Sequence, residues 1–387
     1  MTTVHNSNSA DPKTHVLAIG VGKYPHLMDG TGRRAQDPLG LGQLTSPPLS
    51  VKAFIEWCSA PELDPGAIGF CNPTASLGSI EAVVSSDPPL VIQTPRGPIQ
   101  LDAATLDNIR NAFEMWLNRV ASNDANVGIF YFCGHGVMVA NHYLLAEDFG
   151  ESDLRPWERA FDITNTLRGI ERQVKGALYF FIDACKAISR DMALTLAADP
   201  VPLAAVDLKK SVVRSYAARI GATGEGELAF AAAGKVSRYT DALLTAMSGY
   251  CGIRMAGMQT WDVDGETLAS AVRRLLDNRN DPTVPQQVID QAISGTSVPL
   301  LRVGKPPKVK VKIDLSPEQK RSLALMYLLS AKGDRFEHDG ANGAFRTEVQ
   351  RGFYSIGARA RAAEFAQLEY QDEEVSPPVF NFVMPVP

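Results

Sequence analysis

The chain has 387 residues, 45% of them apolar and 21% charged, which is enough for two globular domains of ordinary size. A net charge of -5 without a long basic run argues against nucleic acid as the partner, because phosphate binding needs clustered lysine and arginine. Residues 1–13 are too polar for a secretory signal, and no run nears the roughly 18 apolar residues that cross a bilayer. Five cysteines, an odd number without close pairs, fit reduced thiols in the cytoplasm better than a disulfide framework.

Residues 15–20 (HVLAIG) read as a short apolar strand, followed by a loop rich in Gly, Pro and Asp that reaches Pro48. A helix starting near Ser50 buries Val51, Phe54, Ile55 and Cys58, and residues 91–100 form a hairpin about a Pro-Arg-Gly-Pro turn. Residues 102–121 set Leu106, Ile109, Phe113, Trp116, Leu117 and Val120 on one helical face, with Asp102 as the expected cap. The runs 127–132 and 177–182 are apolar, β-branched or aromatic throughout, the pattern of central strands in a doubly covered parallel sheet. A helix is expected over 161–173, a strand over 212–217, a helix capped by Ser237 and a last helix over 268–276. Strands alternating with helices give a mostly parallel α/β sheet.

After residue 304 the pattern changes. Lys305-Pro306-Pro307 is a stiff break, and Val309, Val311, Ile313 and Leu315 then alternate with polar residues, as in a half-exposed strand. Further strands are expected at 323–329, 345–349, 353–358 and 379–384, which makes a small β-sandwich; residues 359–368 could instead be helical.

Two reactive side chains follow the two central strands. His135 stands in Cys133-Gly134-His135-Gly136, and Cys185 ends Asp183-Ala184-Cys185, fifty residues later. Chemistry in open α/β folds collects at the carboxyl ends of parallel strands, so the two can meet there. A lone cysteine ending a strand is more often a small buried hydrophobe. The strand context, the flanking glycines and the spacing favour a nucleophilic thiol with an imidazole as its base.

These residues resemble the caspase-like cysteine peptidases, over roughly residues 14–300. Asp183-Ala184-Cys185 is similar to the Asp-x-Cys of the metacaspase and bacterial branch of that family, where animal caspases carry Gln-Ala-Cys. Residues 143–148 (YLLAED) and 234–240 (GKVSRYT) resemble two further family segments, the second bordering the substrate at Ser237. The resemblance implies a caspase-like domain over 14–304, a Cys185–His135 dyad with no third member, and an oxyanion hole made by the N–H groups of Gly136 and Cys185. It also implies that Asp183 binds a substrate Arg or Lys. The family's second acid, in an Asn-Asp pair, corresponds here to Leu49-Ser50, so one carboxylate stands where relatives have two. The linker over 186–210, with Arg190, Lys209 and Lys210, is where self-cleavage would occur. Residues 350–356 resemble the Gly-x-Tyr hairpin of Ig-like and carboxypeptidase-regulatory-like domains, and the break at 305–307 sets the second domain at 305–387.

The resulting expectation is a cytoplasmic endopeptidase that cuts proteins after basic residues. The alternative is a catalytically silent caspase-fold scaffold whose C-terminal β-domain binds a regulatory partner. Protein or peptide is the expected partner, with no nucleic acid and no membrane. No cofactor and no metal are expected: Gly20-Val21-Gly22-Lys23-Tyr24 lacks the Ser or Thr of a phosphate loop, and Cys133-x-His135 has no partner pair for zinc.

Overall fold

A computed structural model describes residues 2–7, 9–35, 38–64, 68–186, 200–211, 216–223, 233–278, 287–362 and 365–386. Seven strands build the main sheet: β1 (Thr2–Asn6), β2 (Lys13–Val21), β3 (Ser76–Ser85), β4 (Val127–Gly134), β5 (Ala177–Ala184), β6 (Tyr216–Gly221) and β7 (Asp290–Gly295). Their spatial order is β1-β3-β2-β4-β5-β6-β7. The five inner strands run parallel, and β1 and β7 close the two edges antiparallel. This is the mostly parallel sheet that the apolar runs predict, and β4 and β5 are buried at every position.

Alternation along the strands sorts side chains into two layers. Ile129, Tyr131 and Cys133 of β4, with Tyr179 and Phe181 of β5, pack under α1 (Ser46–Leu63), α4 (Arg238–Thr245) and α5 (Gly265–Asp277). Phe130, Phe132, Phe180 and Ile182 face α2 (Leu106–Val120) and α3 (Ile163–Ile170). Asp183 shares the parity of Tyr179 and Phe181, so it points towards α1 and α4.

Several boundaries differ from the sequence reading. Thr105 caps α2, accepting from the Asn108 N–H, while Asp102 accepts instead from the Thr2 hydroxyl at 2.9 Å. The helix α1 begins at Ser46, because Pro47 and Pro48 suit a first turn whose N–H groups have no partners in the helix. Asp162 ends a short strand and caps α3, which shortens the helix expected over 161–173. The strand expected over 212–217 is seen as β6 from Tyr216, and 212–215 lie outside the described residues. Ser237 caps α4 as expected, accepting from the Thr240 N–H at 3.0 Å.

The C-terminal region has its own apolar core, built from Val309, Val311, Ile313, Met326, Leu328 and Ile356 among others. Its strands are β8 (Lys308–Ser316), β9 (Ala324–Ser330), β10 (Arg335–Asp339), β11 (Phe345–Gln350), β12 (Gly352–Ala360), β13 (Leu368–Val375) and β14 (Val379–Pro385). They form a three-stranded sheet, β11-β8-β14, and a four-stranded one, β10-β9-β12-β13. Seven strands thus replace the five expected, since polar β10 and β13 carry little apolar alternation. The stretch 359–368 is no helix among its described residues; it ends β12, turns and begins β13. Arg274 of α5 donates to the Val379 carbonyl at 2.7 Å, and Val379 packs into the core of the main sheet.

Candidate functional site

Parallel pairing of β4 with β5 sets Asp183 opposite Cys133 and Ala184 opposite Gly134, so the two strands end side by side. His135 and Cys185 follow directly. Together with Asp183, Ser237, Cys133 and Gly134 they line one cleft of about 350 Å³, whose opposite wall is residues 43–47. Four of the five residues singled out from sequence therefore meet in one place. The fifth, Gly136, lies just behind: a Cβ there would come within 2.7 Å of the Cys185 carbonyl oxygen and 3.0 Å of the Ala184 Cβ. Only glycine allows that approach.

His135 is buried, and its ring is fixed from two sides. Its Nε2 lies 2.8 Å from the Gly42 carbonyl, and its backbone N–H donates to the Tyr24 hydroxyl at 2.8 Å, with the rings 4.8 Å apart. A carbonyl only accepts, so Nε2 carries the proton and Nδ1 is left as the basic nitrogen. Burial pushes the imidazole down to about 4, against the pull of the Gly42 carbonyl, so the ring is neutral at pH 7. Neither Gly42 nor Tyr24 stands out in the sequence. Tyr24 ends the Gly20–Tyr24 stretch that fails as a phosphate loop, and its use is the hydroxyl placed under His135.

Asp183 is buried, and three donors converge on its Oδ2: the Ser237 hydroxyl, the Thr240 hydroxyl at 2.7 Å and the Cys133 thiol at 3.5 Å. Thr240 gives its one hydroxyl proton to Asp183, so it accepts from Tyr131, whose hydroxyl is 2.6 Å away. Burial raises the Asp183 carboxyl, and the donors from Ser237, Thr240 and Cys133 draw it back. Ser237 therefore has two tasks, capping α4 and holding the carboxylate. Thr240 and Tyr131 escaped the sequence reading because their roles depend on which strand lies under α4.

The Cys133 thiol is pushed far up by burial first and then by the neighbouring Asp183 charge, so it stays protonated and serves as a donor. Cys185 is only half-buried and lines the cleft, the better position for a nucleophile. Ser50, aligned in the sequence reading with the missing second acid, is fully buried and accepts from the Ser237 N–H at 3.0 Å. It belongs to the support beneath Asp183 and not to the wall of the cleft. Arg190 lies outside the described residues, whereas Lys209 and Lys210 are exposed. Among the described residues no three His, Cys, Asp or Glu side chains group as a metal site.

Residues 96–296, over half of the chain, match the family model of the Peptidase C14 caspase domain, and this stretch holds both His135 and Cys185. The chain belongs to the caspase-domain family. The uncharacterized protein y4kE of Sinorhizobium fredii is 30% identical over 300 residues, covering 75% of this chain and 84% of that protein. Among solved structures, caspase-1 from Spodoptera frugiperda is 11% identical with a TM-score of 0.38, covering 78% of this chain and 96% of that one. Protein GSU0716 from Geobacter sulfurreducens is 13% identical with a TM-score of 0.42, covering 74% and 94%. The caspase-domain match agrees with the sequence resemblance and with the mostly parallel sheet flanked by helices. Among the described residues no helix is long and apolar enough to cross a membrane.

Proposed function

We propose that this caspase-domain chain is a cysteine endopeptidase that cuts proteins after arginine or lysine, with Cys185 as nucleophile and His135 as base. The observation that carries the reading is the cleft itself, in which a half-buried thiol, a neutral imidazole with its Nδ1 unprotonated, and a buried carboxylate are lined up. The thiol proton passes to His135 Nδ1 as sulfur attacks the scissile carbonyl. The N–H groups of Cys185 and Gly136 receive the developing oxyanion. Collapse breaks the C–N bond, the leaving amine takes the proton from His135, and water then hydrolyses the thioester.

Asp183 supplies the selectivity. Its three donors occupy Oδ2, which leaves Oδ1 for a guanidinium or ammonium entering the cleft. With Ser50 buried, no second acid joins Asp183 among the described residues lining the cleft, which supports a preference narrower than in relatives with two carboxylates. None of the five cysteines forms a disulfide, which supports a reducing, cytoplasmic setting. Exposed Lys209 and Lys210 suit self-processing, and the separate cores support a division near residues 304 and 305. The test is cleavage of fluorogenic peptides differing only at the cleaved position. Arginine or lysine peptides should outpace leucine and aspartate ones, and Cys185→Ala should abolish the reaction. Faster cleavage of aspartate peptides would overturn the pocket assignment.

A further inference from the structure

Cys185 carries two peptide planes, one on either side, and a side chain from elsewhere in the fold reaches the carbonyl of each. The Thr223 hydroxyl donates to the Ala184 carbonyl at 3.1 Å from the loop after β6. The His142 Nε2 lies 3.1 Å from the Cys185 carbonyl, from the strand His142–Leu145 of the small three-stranded sheet that follows β4 in the chain. Thr223 is fully buried and His142 nearly so, and both grips lie where the ladder of β5 ends. Up to that point the sheet does the holding: Ala222 N–H donates to the Ile182 carbonyl at 2.8 Å, and β5 is paired to β4 as far as Ala184.

The direction of the Cys185 N–H follows from these grips. The Ala184–Cys185 peptide bond is trans, so its carbonyl and its N–H point opposite ways. With the carbonyl tied towards β6 by Thr223, the N–H is turned to the β4 side, where His135 and Gly136 lie. The Cys185 carbonyl faces that same side and meets His142. Among the described residues the strand pairing of β5 ends at Ala184, so side-chain grips such as these, together with the Lys186 ammonium on Asp290, take over from the sheet there.

We propose that Thr223 and His142 are positioning residues for the nucleophile: they fix the two peptide planes of Cys185 so that its N–H is presented to the oxyanion. The inference rests on the peptidase reading above and extends it to residues that touch neither substrate nor reacting atoms. His142 can fill this role because a carbonyl only accepts, so its ring offers Nε2–H as a neutral donor. It is not a second base.

The experiment compares three readouts on the full chain. These are turnover of an arginine fluorogenic peptide, inhibition by a peptide arginine aldehyde, and alkylation of Cys185 by iodoacetamide followed by peptide mapping. The aldehyde adds to the thiol as a tetrahedral adduct whose oxygen needs the oriented N–H; iodoacetamide needs only an accessible thiolate. Thr223→Val should lower kcat and weaken aldehyde inhibition about 10–100-fold, with KM within about threefold and alkylation within about twofold, since tilting an oxyanion donor costs less than the 100–1000-fold of deleting one. Thr223→Ser should restore both, His142→Leu should behave as Thr223→Val, and His142→Gln should recover part of the loss. Thr223→Val and His142→Leu chains with turnover and aldehyde inhibition within about twofold of wild type would overturn the proposal. So would a parallel fall in alkylation and thermal stability, or failure of Thr223→Ser to restore. A wild-type chain that is alkylated at Cys185 yet neither cleaves the peptide nor binds the aldehyde would overturn the peptidase reading as well.

Discussion

In the α/β region that carries His135 and Cys185, the most strongly shifted ionisable groups are enclosed. Burial takes His135 and His15 down to about 4 and His142 to about 3, and raises Asp183 and Cys133. In the C-terminal β region the shifted carboxylates instead lie at or near the surface, held by donors. Partial burial pushes the Asp314 carboxyl up, but Arg321, which grips it through Nε at 2.7 Å and Nη2 at 2.8 Å, and the Leu315 N–H outweigh that and hold it below its ordinary value. Glu374, gripped by Arg351 at 2.9 Å, and Asp339, held first by the Ala341 N–H and then by Arg361, follow the same pattern. One region spends its fold on keeping polar groups dry and oriented, which is what chemistry at a cleft requires. The other meets water with exposed ion pairs that are individually worth little.

The largest effect that separates the two regions is chemical. Cys185→Ala or His135→Ala should reduce arginine-peptide cleavage by at least about 1000-fold, because thiol and base act as one unit. Melting of the C-terminal region should be unmoved. Residual cleavage by Cys185→Ala near the wild-type rate would remove the central claim.

Next in size is Ser50→Asp, which places a second carboxylate in the dry space beneath Asp183. It should destabilise the peptidase sheet by roughly 2–4 kcal/mol, the cost of burying a polar group without partners, and leave hydrogen exchange in β9 unchanged. A stable variant with a widened arginine preference would show that Ser50 reaches the substrate after all.

Asp183→Asn should narrow the preference for arginine over leucine by one to two decades, corresponding to about 1–3 kcal/mol for a charge-assisted pair. Ratios of kcat/KM for matched peptides measure it. An unchanged ratio would move selectivity to another group.

Between pH 7 and 5 acid should act mainly on the first region, because the depressed carboxylates of the second lose their contribution only as pH falls through the carboxylate range. An imidazole whose folded pKa is depressed binds fewer protons than its unfolded counterpart, so the stability present above about pH 6.5 is lost as pH falls towards 3–4. For His135 and His142 this amounts to about 2 kcal/mol each by pH 5. The raised carboxyls of Asp183, Glu81 and Asp148 work in the opposite sense, so the clean measurement is the difference between chains. His135→Gln or His142→Gln should flatten the decline in melting temperature between pH 7 and 5. A slope identical to wild type would mean that these rings are protonated in the folded chain. The smallest effect belongs to the surface: Arg321→Ala should cost at most about 1 kcal/mol, shrinking further in high salt, and leave peptidase kinetics untouched.

Much of this was legible in the chain. Apolar runs before His135 and Cys185 identify two buried parallel strands, and glycines beside His135 mark a close approach that Gly136 makes against Cys185. The alternation from Val309 to Leu315 announces β8, but β10 and β13 are too polar to be read that way. Motif spacing also nominates Asp183, since residues two apart on a strand share a side. Those signals are local, carried by periodicity and by reactive side chains at strand ends.

What the tertiary structure decided is everything that depends on partners distant in sequence. Gly42 and Tyr24 hold His135 from about 93 and 111 residues away. Ser237 and Thr240 reach Asp183 across 54 and 57, and Thr223 and His142 hold the planes of Cys185 from 39 and 43. Backbone carbonyls carry no residue identity, and a threonine or serine in a helix cap looks the same whether or not a carboxylate lies below it. Only the stacking of α4 over β5, and the meeting of loops at the strand ends, turns such ordinary residues into the frame of a reactive site.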